Sequence, residues 1–173
     1  IIDDVRIKGP PAEVKLKTSG TITGALSLLD QEPLQVMTKA DRPVTLADGQ
    51  VDAEGSIFLR LKKKQPKSEI KFDISAQLRN VRSSKLIPNR VFAAPVLSVD
   101  VTTERIVISG KARVGQVPVN GRWVSAILDN PRKVSRVEAD VTLSTAFLDE
   151  FNIALPSGAV SGEGPARVVI DLE

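Results

Sequence analysis

The sequence predicts a mainly β protein: a curved, largely antiparallel sheet, an open groove or taco-like form, with two short helices. Three observations carry that reading. Apolar residues fall on every second position through long stretches, the period of a strand with one dry and one wet face. The links between these stretches are short and rich in turn formers, which favours antiparallel neighbours. One strand pattern also recurs: Val51, Gly55, Ile57 and Leu59; Ile106, Gly110, Ala112 and Val114; Val160, Gly164, Ala166 and Val168. Its glycines lie 55 and then 54 residues apart, as expected of a piece of something built by repetition.

In chain order, Val5 and Ile7 alternate, then Val14 and Leu16, with Gly9, Pro10 and Pro11 between them, so a first hairpin is expected over residues 2–18. Ile22, Ala25, Leu26 and Leu29 follow a helical stripe after Thr21 or Ser19 as N-cap. Pro33 either ends this helix or begins a second turn through Met37, giving helix near 21–37. Seven strands follow: Val51 to Leu61, Ile70 to Leu78, Leu97 to Val101, Ile106 to Val114, Val117 to Trp123, Val137 to Leu143 and Val160 to Leu172. Turns are expected at residues 62–67, 102–105, 115–116 and 129–132. Ser144 caps a second helix near 144–152 in which Phe147, Leu148 and Phe151 face one way. Glycines 55, 110 and 164 are expected to let the sheet bend or pack closely. Residues 1–173 read as a single β-rich domain. Ile1 is not a start methionine and the first residues already alternate, so the chain is expected to be a fragment of a larger protein.

Composition excludes more chemistry than it suggests. There is no cysteine and no histidine, which removes thiolate and imidazole metal sites and the commonest nucleophile and base partners. Net charge is only +3 and aromatics are 3%, too few for base-stacking platforms, so nucleic acid is not an expected partner. The carboxylate pairs Asp3 and Asp4, Asp48 to Glu54, Glu138 and Asp140, and Asp149 and Glu150 lack calcium-loop spacing, and the wet face of a strand accounts for Glu138 and Asp140. Gly158 to Gly164 lacks dinucleotide spacing, and Ser109-Gly110-Lys111 is no phosphate loop. Ser83, Ser84 and Lys85 lack a strand-to-helix elbow. No catalytic residue, metal site or cofactor is expected, and the chain does not read as an enzyme.

Two features are left as binding candidates. Lys62, Lys63, Lys64 and Lys67 could touch lipid headgroups or a partner, or simply keep a hairpin tip solvated; Arg79, Arg82 and Lys85 form a smaller basic cluster of the same kind. The aliphatic face, with Val51, Ile57, Leu59, Phe72, Ile74, Leu78, Val99, Ile108, Val114, Val168 and Ile170, either lies partly uncovered as a groove for acyl chains or closes into an ordinary core.

Residues 25–34 (ALSLLDQEPL), 49–55 (GQVDAEG), 108–119 (ISGKARVGQVPV) and 147–151 (FLDEF) resemble the AsmA-like envelope proteins, in particular the large YhdP-type members, over about residues 20–172. The resemblance implies a long β-structure with an apolar groove, held to the inner membrane by an N-terminal anchor and crossing the periplasm, implicated in phospholipid transport to the outer membrane and in its permeability barrier. It implies phospholipid acyl chains, neighbouring repeats of the same full-length protein and other envelope proteins as partners. Against that resemblance, the chain is expected to be one internal section, without the anchor and most of the length. The rival expectation is a non-catalytic structural or protein-interaction domain with a closed core.

Overall fold

In the computed structural model, the structure describes residues 10–32, 35–61, 69–127, 134–154 and 162–172. Eight strands form one antiparallel sheet in strict chain order: β1 (Pro11–Thr21), β2 (Asp48–Arg60), β3 (Lys71–Ile87), β4 (Arg90–Thr102), β5 (Arg105–Val114), β6 (Val117–Ala126), β7 (Ser135–Leu143) and β8 (Gly164–Leu172). The first and last strands do not pair, so the sheet is open. Three short helices interrupt this meander: α1 (Ile22–Leu29) and α2 (Val36–Lys39) between β1 and β2, and α3 (Thr145–Glu150) between β7 and β8.

The register sorts the side chains. Thr18, Ala53, Ala76, Val99, Ile108, Trp123, Val137 and Ile170 stand opposite one another across all eight strands. Lys17, Glu54, Ser75, Asp100, Val107, Val124, Arg136 and Asp171 make the neighbouring row on the other side. Alternation in sequence therefore becomes one apolar and one largely polar face. Among the described residues one layer of helix covers part of the apolar face, and the most enclosed apolar side chain, Ala94, keeps 3% of its surface. The core is correspondingly thin.

Two hairpins use two-residue turns. Pro88 and Asn89 join β3 to β4, with proline setting φ and Asn89 at φ +61°, the requirement of a type II turn. Gly115 at φ +56° and Gln116 join β5 to β6. A crease crosses β3 and β4. Asn80 adopts φ +53° and β3 carries an extra residue against β2, while β4 carries one against β5 between Ala93 and Ser98. The apolar position consequently shifts from Leu78 to Val81 on β3 and from Leu97 to Ala94 on β4. The strands flanking the crease answer with glycine. A Cβ on Gly49 would lie 2.7 Å from the Arg79 carbonyl oxygen, and one on Gly110 would lie 2.8 Å from that of Val96.

Several expectations need correction. The 21–37 stretch forms two helices rather than one, because Asp30 ends α1 and its carboxylate accepts from the Thr38 N–H (2.8 Å) and hydroxyl (2.9 Å), starting α2 anew. The chain thus has three helices among the described residues. β3 runs nine residues past Leu78, and β4 begins seven before Leu97, since the crease breaks the period without ending the strands. Gly55 does admit a close approach, of the Asp73 carbonyl, but a Cβ on Gly164 would meet nothing within 4 Å, so its expected bending role has no basis in packing. Val14 and Leu16 lie on β1, whose described partner is β2. Residues 2–9 of the expected first hairpin, and the turns at 62–67 and 129–132, lie outside the described residues.

Candidate functional site

The helices divide the apolar face into two halves. At the end where β1 finishes and β2 begins, Thr21 caps α1 by accepting from the Gly24 N–H at 3.0 Å. That sets Ile22, Ala25 and Leu26 over Val51, Val81, Ala94, Leu97 and Ala112. Across the sheet, the Ser144 hydroxyl accepts from the Phe147 N–H at 3.3 Å and caps α3, which lays Phe147 and Leu148 on Val117 and Val141. A polar clamp holds α3 down. Arg90 donates from Nε to the Glu150 carbonyl at 3.0 Å, its Nε lies 3.3 Å from Glu150 Oε1, and its guanidinium sits 5.1 Å from the centre of the Phe151 ring. The Gln116 N–H donates to Glu150 Oε2 at 3.1 Å. Both charged side chains are about four-fifths shielded (18% and 20% exposed), and this clamp ties α3 to two hairpin turns.

The opposite end has no helix over it among the described residues. There Leu16, Gly55, Ile74, Val101 and Ile106 run in one row, continued by Ser125, Ser135 and Leu172. Val14, Ile57 and Phe72 extend it on the first three strands. Trp123, the single tryptophan, stands half-buried on the same face between Ile108 and Val137. Exposure reaches 48% at Val14, 46% at Ile170 and 44% at Leu172. Eight strands at the usual spacing make this bare half about 34 Å across, and roughly 15 Å along the strands. That footprint, about 500 Å², includes Gly55, Ser125 and Ser135 and so bounds the apolar patch from above; apolar patches of a few hundred Å² on soluble monomers are often functional.

The other face is laced with ion pairs and polar contacts: Arg136 Nε with Asp171 at 2.7 Å, Arg167 Nε with Asp140 at 3.0 Å, Arg79 with Asp52, and Ser75 Oγ with Asp100 at 3.1 Å. The hydrogen bond from Arg136 holds the Asp171 carboxyl below the usual carboxylate range, and Asp171 in turn raises Arg136. Asp140 raises Arg167 in the same way. These carboxylates are salt-bridge partners on an exposed surface. No group of three acidic side chains suited to a metal ion is present among the described residues.

All eleven apolar candidates fall on the one apolar face, but the structure separates them. Val51, Leu78 and Ile108 lie in or against the cluster under α1, and Val168 lies against the cluster under α3. Val99 and Val114 are buried. Ile57, Leu59, Phe72 and Ile74 are half-buried on the bare half, and Ile170 is exposed there. Trp123, Leu16, Val101, Ile106 and Leu172 belong with that second group, and alternation within their own strands was the signal that places them. Lys62, Lys63, Lys64 and Lys67 lie outside the described residues. The basic cluster is not a free patch: Arg79 pairs with Asp52, and Lys85 Nζ donates to the Thr45 carbonyl (2.9 Å) and hydroxyl (2.6 Å). No helix among the described residues is long and apolar enough to cross a membrane. No protein-family model, curated protein or solved structure matches the chain.

Proposed function

We propose that the chain is a section of an AsmA-like lipid conduit, contributing an apolar β-groove along which phospholipid acyl chains pass between inner and outer membranes, in support of envelope integrity. The observation that carries this is the bare half: apolar side chains from each of the eight strands, among them Leu16, Ile57, Ile74, Val101, Ile106, Trp123, Val137 and Ile170, on one face with no helix over them among the described residues. Such a surface needs no covalent chemistry. Each methylene fully withdrawn from water contributes about 0.8 kcal/mol, and a face open on one side recovers about half of that per methylene. The attraction is therefore enough to hold a chain and shallow enough to let it slide. The polar face opposite keeps the sheet wetted while the headgroup stays in water. The setting is then the periplasm, with the anchor elsewhere in an inner-membrane protein and neighbouring repeats on either side. An open apolar half favours this reading over the closed-core interaction domain.

The test is mass spectrometry of lipids extracted from the purified chain, wild type against Ile74→Lys and Ile170→Lys, with circular dichroism to verify folding. Phospholipid with the wild type and its loss from both folded variants is the expected result. No lipid with any of the three, or equal lipid with all, would overturn the proposal.

A further inference from the structure

The apolar row of the bare half is not uniform. From β1 to β5 it reads Leu16, Gly55, Ile74, Val101 and Ile106, with no polar side chain. At β6 and β7 it changes: Ser125 stands directly opposite Ser135, and Trp123 lies two residues back along β6 on the same face. Direct neighbours on adjacent strands hold their Cβ atoms about 5 Å apart, so the two hydroxyls and the indole make one polar notch, with Ile106 on one side and Leu172 on the other. All three side chains are half-buried. The Ser125 hydroxyl lies 3.5 Å from the Ala126 carbonyl, too far to engage its hydrogen firmly. Among the described residues neither the Ser135 hydroxyl nor the Trp123 indole N–H has a hydrogen-bond partner.

We infer that this notch seats the ester carbonyls of a diacyl lipid, with Ser125, Ser135 and Trp123 as specificity-determining donors and the acyl chains laid over β5 to β1. The inference rests on the conduit reading and adds which part of the lipid is recognised and where it halts. On an open face such donors bond to water. An acyl chain drawn across the row displaces that water, and bare hydrocarbon offers no acceptor in return, so the donors would be left unpaired at a cost. The ester oxygens are the acceptors nearest to an acyl chain. Charge selects them over the phosphate: among the described strand residues no cation stands on the bare half of this face, so the notch suits a neutral acceptor. The placement agrees. From β6 to β1 the row spans about 24 Å, room for an extended acyl chain, whereas only Leu172 lies beyond the notch on β8. Ser125 is one residue from the end of β6 and Ser135 begins β7, so a headgroup attached there sits at the margin of the sheet and not over its apolar middle.

The test is titration of the purified chain with two phosphatidylcholines of identical short chains, monomeric in water, one with ester and one with ether linkages, followed by the backbone amide resonances. The wild type is expected to bind the diester about five- to tenfold more tightly than the diether, with the largest shifts at Ser125 and Ser135. In the double variant Ser125→Ala with Ser135→Ala, the diester is expected to fall to the affinity of the diether. Trp123→Phe keeps an aromatic ring and removes the N–H, and is expected to reduce the preference about two- to threefold. Ile74→Ala, on the path of the acyl chain, is expected to weaken both lipids alike and keep the preference. Serines with a purely structural role would leave that ratio unmoved. Equal binding of the two lipids by the wild type, or a preference that survives in the double serine variant, would overturn the seat and leave the conduit standing. Binding of neither lipid would remove both.

Discussion

The same apolar face is finished in two ways. Under α1 and α3 the aliphatic residues are sealed: Ile22 is 5% exposed, Val81 4%, Leu97 7% and Val117 4%. On the bare half, side chains of the same chemistry on the same strands stay half-open, and Val14 and Ile170 approach half exposure. Intrinsic strand preference cannot distinguish them, because both halves alternate alike. What differs is the second layer, so stability is expected to reside in one half and ligand contact in the other.

Truncation is the strongest way to break that comparison. Leu97→Ala opens a cavity beneath α1 and is expected to cost about 2–4 kcal/mol in denaturant unfolding, whereas Ile74→Ala on the bare half, already facing water, is expected to cost about 1 kcal/mol or less. Comparable losses would mean that the two halves share one core. Next in size is the clamp on α3. Arg90→Ala leaves the shielded Glu150 carboxylate with no cation beside it and only the Gln116 N–H as donor, frees the Glu150 carbonyl and removes the cation from Phe151, for an expected loss of about 2–3 kcal/mol. Hydrogen exchange should show faster opening around Phe147 and Val141 while the rows on β1 to β3 keep their protection.

The glycines sharpen the comparison along the sheet. Gly110→Ala must accept φ +151° with its Cβ against the Val96 carbonyl, and is expected to lose about 1–3 kcal/mol. Gly164→Ala, with open space and an ordinary φ, is expected to be neutral or to gain about 0.5 kcal/mol through a less flexible unfolded chain.

The smallest effect is one of pH. Hydrogen bonds from the backbone and hydroxyl of Thr38 hold the Asp30 carboxyl below its ordinary range. Its folded pKa is thus lower than its unfolded one, so the contribution is fully present above the unfolded value, near 4, and fades as pH falls through the folded value. Acid titration followed by the Thr38 amide resonance should show loosening between α1 and α2 below about pH 4. Asp30→Asn should abolish that step.

The apolar face and the starts of two helices were readable from residue order alone. Alternation in Ile70 to Leu78 or Val137 to Leu143 names the apolar face directly, and Thr21 and Ser144 announce their helices by chemistry that acts over three residues. The crease was not readable. Asn80 and Pro95 interrupt the period in the way a strand end would, and only the matching extra residues on β3 and β4 show that pairing continues past them. The Pro88-Asn89 turn was a usable signal within that stretch. Which half of the face is covered depends on where α1 and α3 dock. Docking is fixed by long-range contacts, such as Arg90 with Glu150, sixty residues apart, that no local pattern encodes.

The central claim is that the bare half takes acyl chains, and Trp123 reports on it directly as the single tryptophan, in a chain without tyrosine, standing on that face. The decisive measurement is its fluorescence during titration with phospholipid whose acyl chains carry bromine. The account predicts saturable quenching, lost in Ile74→Lys and kept in a polar-face variant such as Ser75→Lys. Emission indifferent to brominated chains, or quenched equally in all three proteins, would contradict it.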